Sequence, residues 1–289
     1  MKLSINQMRA VEAVVRTGSF SAAAKELGIS QPSVSNHLSA LEKHYHTLLI
    51  HRNGRQAEPT ATCREILSRI RSVLAMTDEI ELALEGRRRL QVGSLRLGYS
   101  TYQFAMPILS RFMQGFPDVD IEARDMASND LIPLLLDGKL DVIFITAKAQ
   151  PDVMHTLKIR TERIVLVVPK GHPFEMKGLV SWQDVATQSL VQRETSSGTR
   201  SLFEQAAAKA GVTLNTVLAL GSWGAIVSTI QSGMGIGVAM EGEVLPSNDL
   251  VTVPVDDDDL TVSHYLACLP EMQHVAAIDA MFKAVEPRG

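Results

Sequence analysis

Aromatic side chains make up only 5% of the 289 residues, so the interior has to be built almost wholly from aliphatic side chains. Cysteine is nearly absent: Cys63 and Cys268 stand alone and far apart, which rules out a disulfide framework and fits a reducing compartment. No run approaches the roughly 18 apolar residues of a membrane span. The opening MKLSINQMRAVEAVVRTG also lacks the apolar block of an export signal, so the expected location is cytoplasmic, with no membrane partner. Signatures of catalysis are missing as well. There is no G-x-S-x-G elbow, no Cys/His pair and no paired carboxylates in a recognisable arrangement, so no enzymatic activity is expected. SGMGIGVAM lacks the Lys-Ser/Thr ending of a phosphate loop; Met234, Ile236 and Val238 read instead as a buried strand whose glycines permit close packing. His44, His46, His51 and Cys63 fit no zinc spacing, and Asp256 to Asp259 lacks the spaced ligands of a calcium loop. Neither a metal nor a cofactor is expected.

What is present is 45% hydrophobic, enough for more than one domain. The net charge is -4, yet the first sixty residues run the other way, with seven Lys/Arg (Lys2, Arg9, Arg16, Lys25, Lys43, Arg52, Arg55) against four Glu (Glu12, Glu26, Glu42, Glu58). Within this basic stretch, Met8, Val11, Val14 and Val15 mark a first helix ended by Thr17-Gly18. Phe20, Ala23, Ala24 and Leu27 share a second helical face, which Gly28 breaks, and Val34, Leu38 and Leu41 begin a third. Ser30 suits an N-cap, and Pro32 suits the first turn. The outcome is either a helix-turn-helix or an ordinary helical hairpin. In the first case Gln31, Pro32, Ser33, Ser35, Asn36 and Ser39 face a major groove with short donors and acceptors. Asn53-Gly54 then predicts a two-stranded wing with Arg52 and Arg55 beside its turn, where they would contact phosphates.

From 62 to 89 proline is absent, and Ile66, Ile70, Val73, Thr77, Ile80 and Leu84 recur at spacings of four, three, four, three and four, a heptad seam. The seam serves a homodimer or docks onto the chain's own second domain. Arg87, Arg88 and Arg89 read as a solvated helix end. Thereafter SLRLGYS, VDIEARDM, LDVIFIT, RIVLVVP, TVLALG, MGIGVAM and VSHYLACL read as strands alternating with helices. The fold class is therefore α/β, with largely parallel sheets in two lobes and a cleft between them.

RETSSGTR offers Thr195, Ser196, Ser197, Gly198 and Thr199 ahead of a helix, suited either to an anion or to a plain N-cap. Ser100, Thr101 and Tyr102, then Ser128, Thr146, Ser222 and Trp223, stand at other strand ends or helix starts of this α/β region. Arg200 is either a further anion ligand or a structural ion pair. An effector amine would find Asp125, Glu241, or the faces of Tyr102 or Trp223.

FSAAAKELGISQPSVSNHLSALE closely matches the N-terminal signature of the LysR-type transcriptional regulators, and HRNGRQAEPTAT resembles their wing less faithfully. The resemblance covers essentially the whole chain. It implies an N-terminal all-α winged helix-turn-helix at 1–60, a dimerising linker helix at 61–91, and a two-lobed effector domain at 92–289 shaped like type 2 periplasmic binding proteins. Lobe I would take 92–160 and 268–289, and lobe II 161–267. Promoter DNA, a small anionic effector and a homodimer pairing into homotetramers are the implied partners. Asn36 stands where many members carry a basic residue, and His46 and Cys63 stand where glycines are common. ALEKHY, LIHRNGR, QFAMPIL, SGMGIGVAMEGE and LTVSHYLACL resemble the subgroup associated with 2-aminoethylphosphonate catabolism, which implies that effector. An α/β enzyme and a solute-binding protein are the rival readings; the second leaves the first ninety residues unexplained.

Overall fold

The computed structural model describes residues 3–53, 56–84, 93–245 and 249–285. Its first unit opens with helices α1 (Ile5–Thr17), α2 (Phe20–Glu26) and α3 (Gln31–Tyr45). Each start is chemically marked. Ser4 and Gln7 form a reciprocal capping box on α1, Ser19 accepts from the Ala22 N–H, and Ser30 accepts from the Ser33 N–H with Pro32 in the first turn. Gly18 and Gly28 end the first two helical segments at φ 65°, a left-handed turn that glycine adopts freely. Val11, Val14, Ala23, Val34 and Leu38 are fully buried between the three helices. The wing follows as the antiparallel pair β1 (Ile50–Asn53) and β2 (Gln56–Pro59); Gly54 and Arg55 lie outside the described residues. The Glu42 carboxylate accepts from the Leu49 and Ile50 N–H groups at 2.8 and 3.2 Å and so ties the wing to α3. Cys63 is buried in this same core, and His46 takes the left-handed conformation at φ 49° that ends α3.

Helix α4 (Ala61–Leu84), about 36 Å long, divides the expected seam between two uses. Ile66 and Ile70 pack into the core of the first unit, so this half docks within the chain. Val73, Ile80 and Leu84 are exposed, the last by 83%, and they continue the stripe outward. The Arg87–Arg89 run lies outside the described residues.

The remainder forms β3 (Gly93–Tyr99), α5 (Tyr102–Gly115), β4 (Val119–Asp125), α6 (Ser128–Leu136), β5 (Val142–Ala147), β6 (His155–Pro169), α7 (Pro173–Lys177), α8 (Trp182–Ala186), β7 (Ser189–Arg193) and α9 (Gly198–Lys209). It closes with β8 (Asn215–Leu220), α10 (Trp223–Gln231), β9 (Ile236–Met240), β10 (Leu250–Pro254), β11 (Thr261–Cys268) and α11 (Ala276–Lys283). The strands run β4-β3-β5-β11-β6-β9-β7-β8, with β10 also on β6. β6 belongs to two lobes. Its first half, through Arg163, pairs with β11, and from Ile164 onward it pairs with β9 and β10. One aliphatic core lies under β3, β5 and β11 and another under the second half of β6, β7 and β9.

Four expectations change. The sheets are mixed, because β11 runs antiparallel to β5 and β6, as do β9 and β10 to β6. Strand β11 joins lobe I by pairing with β5 from Ser263 onward, while Val262 still packs in the lobe II core, so the chain returns to lobe I at Ser263 and not at 268; an apolar run such as VSHYLACL does not reveal which edge it joins. Strands β7 and β10, and the polar first half of β6, add to the seven strands expected, because they lack the continuous apolar runs that marked the others. Met234 is 61% exposed ahead of β9, while Gly237 does permit close packing, since a Cβ there would lie 2.5 Å from Ile230.

His46 bears a Cβ in a conformation that disfavours one by roughly 1–2 kcal/mol. His46→Gly is expected to raise the unfolding free energy by about 0.5–1 kcal/mol once glycine's larger unfolded-state entropy is subtracted. Urea denaturation reads this directly, and an unchanged or lower midpoint would refute it.

Candidate functional site

On α3 the side away from the core carries Gln31, Pro32, Asn36 and Ser39, all exposed, with Ser33 and Ser35 half-buried. Arg52 reaches this face from β1. Its guanidinium lies 4.5 Å above the Phe20 ring and donates to Ser35 Oγ at 3.3 Å, so the cation stands beside the helix start with its stem held in place. A helix with short polar groups at its free N-terminal side and an arginine alongside has the chemistry to meet base edges and phosphates together.

The second site is the seam between the lobes. Strand ends and helix starts converge there: Ser100 and Thr101 after β3, Ala127 and Ser128 at the start of α6, and Thr146 near the end of β5. Arg193, Ser197, Gly198, Thr199, Met240 and Glu243 come from the opposite lobe. Ser128 Oγ accepts from the Thr146 N–H at 2.9 Å, and Ser100 Oγ lies 3.2 Å from Thr146 Oγ1. Gly198 is required where α9 meets the other lobe, since a Cβ would come within 2.7 Å of the Thr146 carbonyl oxygen. The free space is about 10 Å³, room for about one water molecule, so a ligand of several heavy atoms enters only if the lobes part.

Seven expected residues are thus brought together: Ser100, Thr101, Ser128, Thr146, Ser197, Gly198 and Thr199. The others are not. Tyr102 is 46% exposed on the outside of α5, Thr195 is exposed and Ser196 half-buried off the lining, Ser222 caps α10, and Trp223 packs into the lobe II core. Arg200 is a structural ion pair, donating to Glu204 Oε1 at 2.8 Å and to the Arg193 carbonyl at 2.9 Å. Asp125 and Glu241 are exposed outside the lining. Two charged residues escaped the sequence reading, Arg193 and Glu243. Each follows a rule the sequence could have supplied, since Arg193 ends β7 and Glu243 closes the short turn that follows β9, both on the C-terminal side of a lobe II strand. The Arg193 Nε is buried without a hydrogen-bond partner among the described residues.

Glu243 is 5% exposed and its carboxylate accepts from the Met240 N–H at 3.0 Å. Burial pushes its pKa up to about 7, opposed by that N–H and by Arg193 and reinforced by Glu162. Glu162, on β6, accepts from the Gly242 N–H at 2.9 Å and pairs with Arg160 at 2.6 Å. His264, on β11, lies 3.9 Å from Glu162, and its ring stacks 4.0 Å from Phe104. Burial, with Arg160 adding to it, pushes the His264 imidazole down to about 4.

Residues 5–64 match the family model described as a bacterial regulatory helix-turn-helix protein of the lysR family, and residues 88–288 match the LysR substrate binding domain. The chain belongs to the LysR family. An uncharacterized HTH-type transcriptional regulator of Methanocaldococcus jannaschii is 29% identical over 279 residues, covering 93% of this chain and 94% of that one. A full-length OxyR variant from Pseudomonas aeruginosa has the same fold at a TM-score of 0.79 and 18% identity, over 99% of this chain and 95% of its own. CbnR in complex with its target DNA superposes at 0.54 and 18% identity, over 98% of this chain and all of its own. The chain is a DNA-binding LysR-family transcriptional regulator with an effector-binding domain, and its relatives are regulators and not enzymes. Among the described residues, no helix is long and apolar enough to cross a membrane.

The two buried titrations oppose each other. Glu243 holds a proton in the folded state that the unfolded chain releases, so its contribution declines as pH rises from about 4.5 to 7. His264 refuses a proton that the unfolded chain accepts, so its contribution declines as pH falls from 6.5 to about 4. Glu243→Gln is expected to unmask the histidine, and stability will then rise by roughly 3 kcal/mol from pH 4 to 6.5 more steeply than in the parent. Parallel pH profiles from urea denaturation would exclude this coupling.

Proposed function

We propose that this regulator reads promoter DNA with α3 through Gln31, Pro32, Ser33, Ser35, Asn36 and Ser39, with Arg52 and Arg55 of the wing on phosphates. It does so as a homodimer built on α4, and two dimers pair into a tetramer. The observation that carries the DNA reading is the exposed polar face of the capped helix α3 with Arg52 beside it, within a family of helix-turn-helix regulators. Dimerisation is supported by an apolar groove of about 410 Å³ that Leu3, Met8, Leu41, Tyr45, Ile66 and Val73 help to line, continued by exposed Met76, Ile80 and Leu84. An exposed apolar stripe of this kind seeks a partner helix.

The effector is a small anion held between the lobes, and 2-aminoethylphosphonate is the specific proposal. Support comes from the hydroxyls of Ser100, Thr101, Ser128, Thr146 and Thr199, the start of α9, and Arg193 with its unpartnered Nε. Glu243 is the acceptor available to an ammonium group, in place of the residues the sequence offered.

Affinity for a duplex selected from a random pool is expected to fall steeply with salt, by about 0.9 in log–log slope per phosphate contact. Asn36→Ala is expected to change which duplex is preferred. Indifference to DNA would sink the regulator reading. For the effector, calorimetric titration with 2-aminoethylphosphonate should give binding at least about tenfold tighter than ethylphosphonate, inorganic phosphate or taurine. Equal affinity for the phosphonates removes the amine acceptor, and silence from all four removes the phosphonate reading.

A further inference from the structure

Arg71 stands on α4, yet its guanidinium reaches two other parts of the chain. Nε lies 3.3 Å from Glu12 Oε1 on α1, and Nη1 donates to the carbonyl of Gly138, just past the last turn of α6. Gly138 is at φ 63°, and any Cβ there would run into this guanidinium. Glu12 also holds Arg16 at 3.2 Å, and Arg16 pairs with Glu26 at the end of α2. On the next residue of α4, the Ser72 hydroxyl donates to the Glu271 carbonyl at 2.8 Å, and one turn earlier Ser68 donates to the Glu271 carboxylate. The guanidinium is only 8% exposed, so it cannot exchange these partners for water while the junction stays closed.

Helix α6 joins this junction to the cleft. Its first residue, Ser128, carries the hydroxyl that accepts the Thr146 N–H, beside the point where Gly198 of the opposite lobe closes in. Leu131 and Leu135, on either side of Pro133, are fully buried in the lobe I core, so packing ties both halves of this helix, about 14 Å long, to the same core. Opening the cleft enough to admit a ligand disturbs the Ser128 end; the Gly138 carbonyl sits at the other.

We infer that Arg71 is the latch by which the interlobe cleft acts on the chain's own DNA-binding unit, with α6 as the lever between them. This rests on the reading of the cleft as the effector site. Because the buried guanidinium is either seated on both Glu12 and Gly138 or released from them, the junction has two arrangements and not a graded series.

Hydrogen exchange of the full chain, read by mass spectrometry, tests this without DNA or effector. Ser128→Ala removes the acceptor at the cleft end of the lever. It is expected to speed exchange of the α1 amides, residues 5–17, by about tenfold in the parent and less than about twofold when combined with Arg71→Gln. Arg71→Gln alone should speed the same amides. Equal acceleration by Ser128→Ala in both backgrounds, or none in the parent, would overturn the latch. Should Arg71→Gln fail to fold, Arg71→Lys carries the same comparison, because a lysine keeps the charge but cannot bridge Glu12 and Gly138 together. A failed exchange test leaves the DNA and effector readings standing, and failure of the DNA or titration assays leaves the exchange result intact.

Discussion

Everything C-terminal to the linker depends on one ladder of backbone hydrogen bonds, that of β6. Fifteen residues of continuous strand give their first half to β11 and their second half to β9 and β10, so two separate cores share one beam. Strand β11 returns beside it, and its register slips between His264 and Tyr265, close to where the pairing changes lobes. Strands continuous across a junction resist stretching yet can twist, which is the mechanical property a two-lobed receptor needs. The cleft lies at this junction, where strand ends and helix starts from both lobes face each other.

That placement explains the chemistry of the seam. Residues near the crossover are covered by both lobes, so Glu162, Glu243 and His264 are all nearly inaccessible although each is polar. Glu162 is satisfied by Arg160 and the Gly242 N–H, which keeps its charge tolerable. Glu243 is buried, has one N–H on its carboxylate among the described residues and a second carboxylate nearby, and the balance tips it toward the neutral form. Polar groups left partly unsatisfied at a closed interface weaken its closure, because parting the lobes gives them water. Across the seam the lobes meet in close backbone contact at Gly198 and Thr146, and Gln103 donates to the Glu243 carbonyl at 3.3 Å.

Much of this was legible in the sequence, for reasons that differ by element. The helix-turn-helix was readable because every helix start carries a capping residue and every apolar face is local, so no distant contact had to be known. Strands such as LDVIFIT were readable because a strand covered on both faces is uniformly apolar. Strand β7, SLVQR, was not: its pattern is too short, and Gln192 is buried on a polar contact to Thr216. The cleft hydroxyls were found because Ser and Thr at helix starts are conspicuous. Trp223 and Ser222 share that mark, but their helix start lies away from the seam, and only pairing order could distinguish them. Arg193 and Glu243 were missed because a charged residue after a strand looks like an ordinary solvated end until the opposing lobe covers it.

The linker helix shows why periodicity alone could not choose between docking and dimerisation. A heptad stripe specifies which residues share a face and leaves open what covers it. In α4 the stripe turns from Ile70, 5% exposed against the chain's own winged unit, to Leu84, 83% exposed. The same helix carries Ser68, Arg71 and Ser72 on another side against lobe I. It therefore touches the DNA-binding unit and the effector domain within a single turn, while its outer half offers an apolar stripe to a partner. Arg9 pairs with Asp78 at 3.0 Å further along the same two helices, so the α1–α4 contact is the route by which the proposed release of Arg71 would reach the DNA-binding unit. Since α1, α3 and the first half of α4 share one close-packed core, a displacement passed to α1 would be carried on to α3.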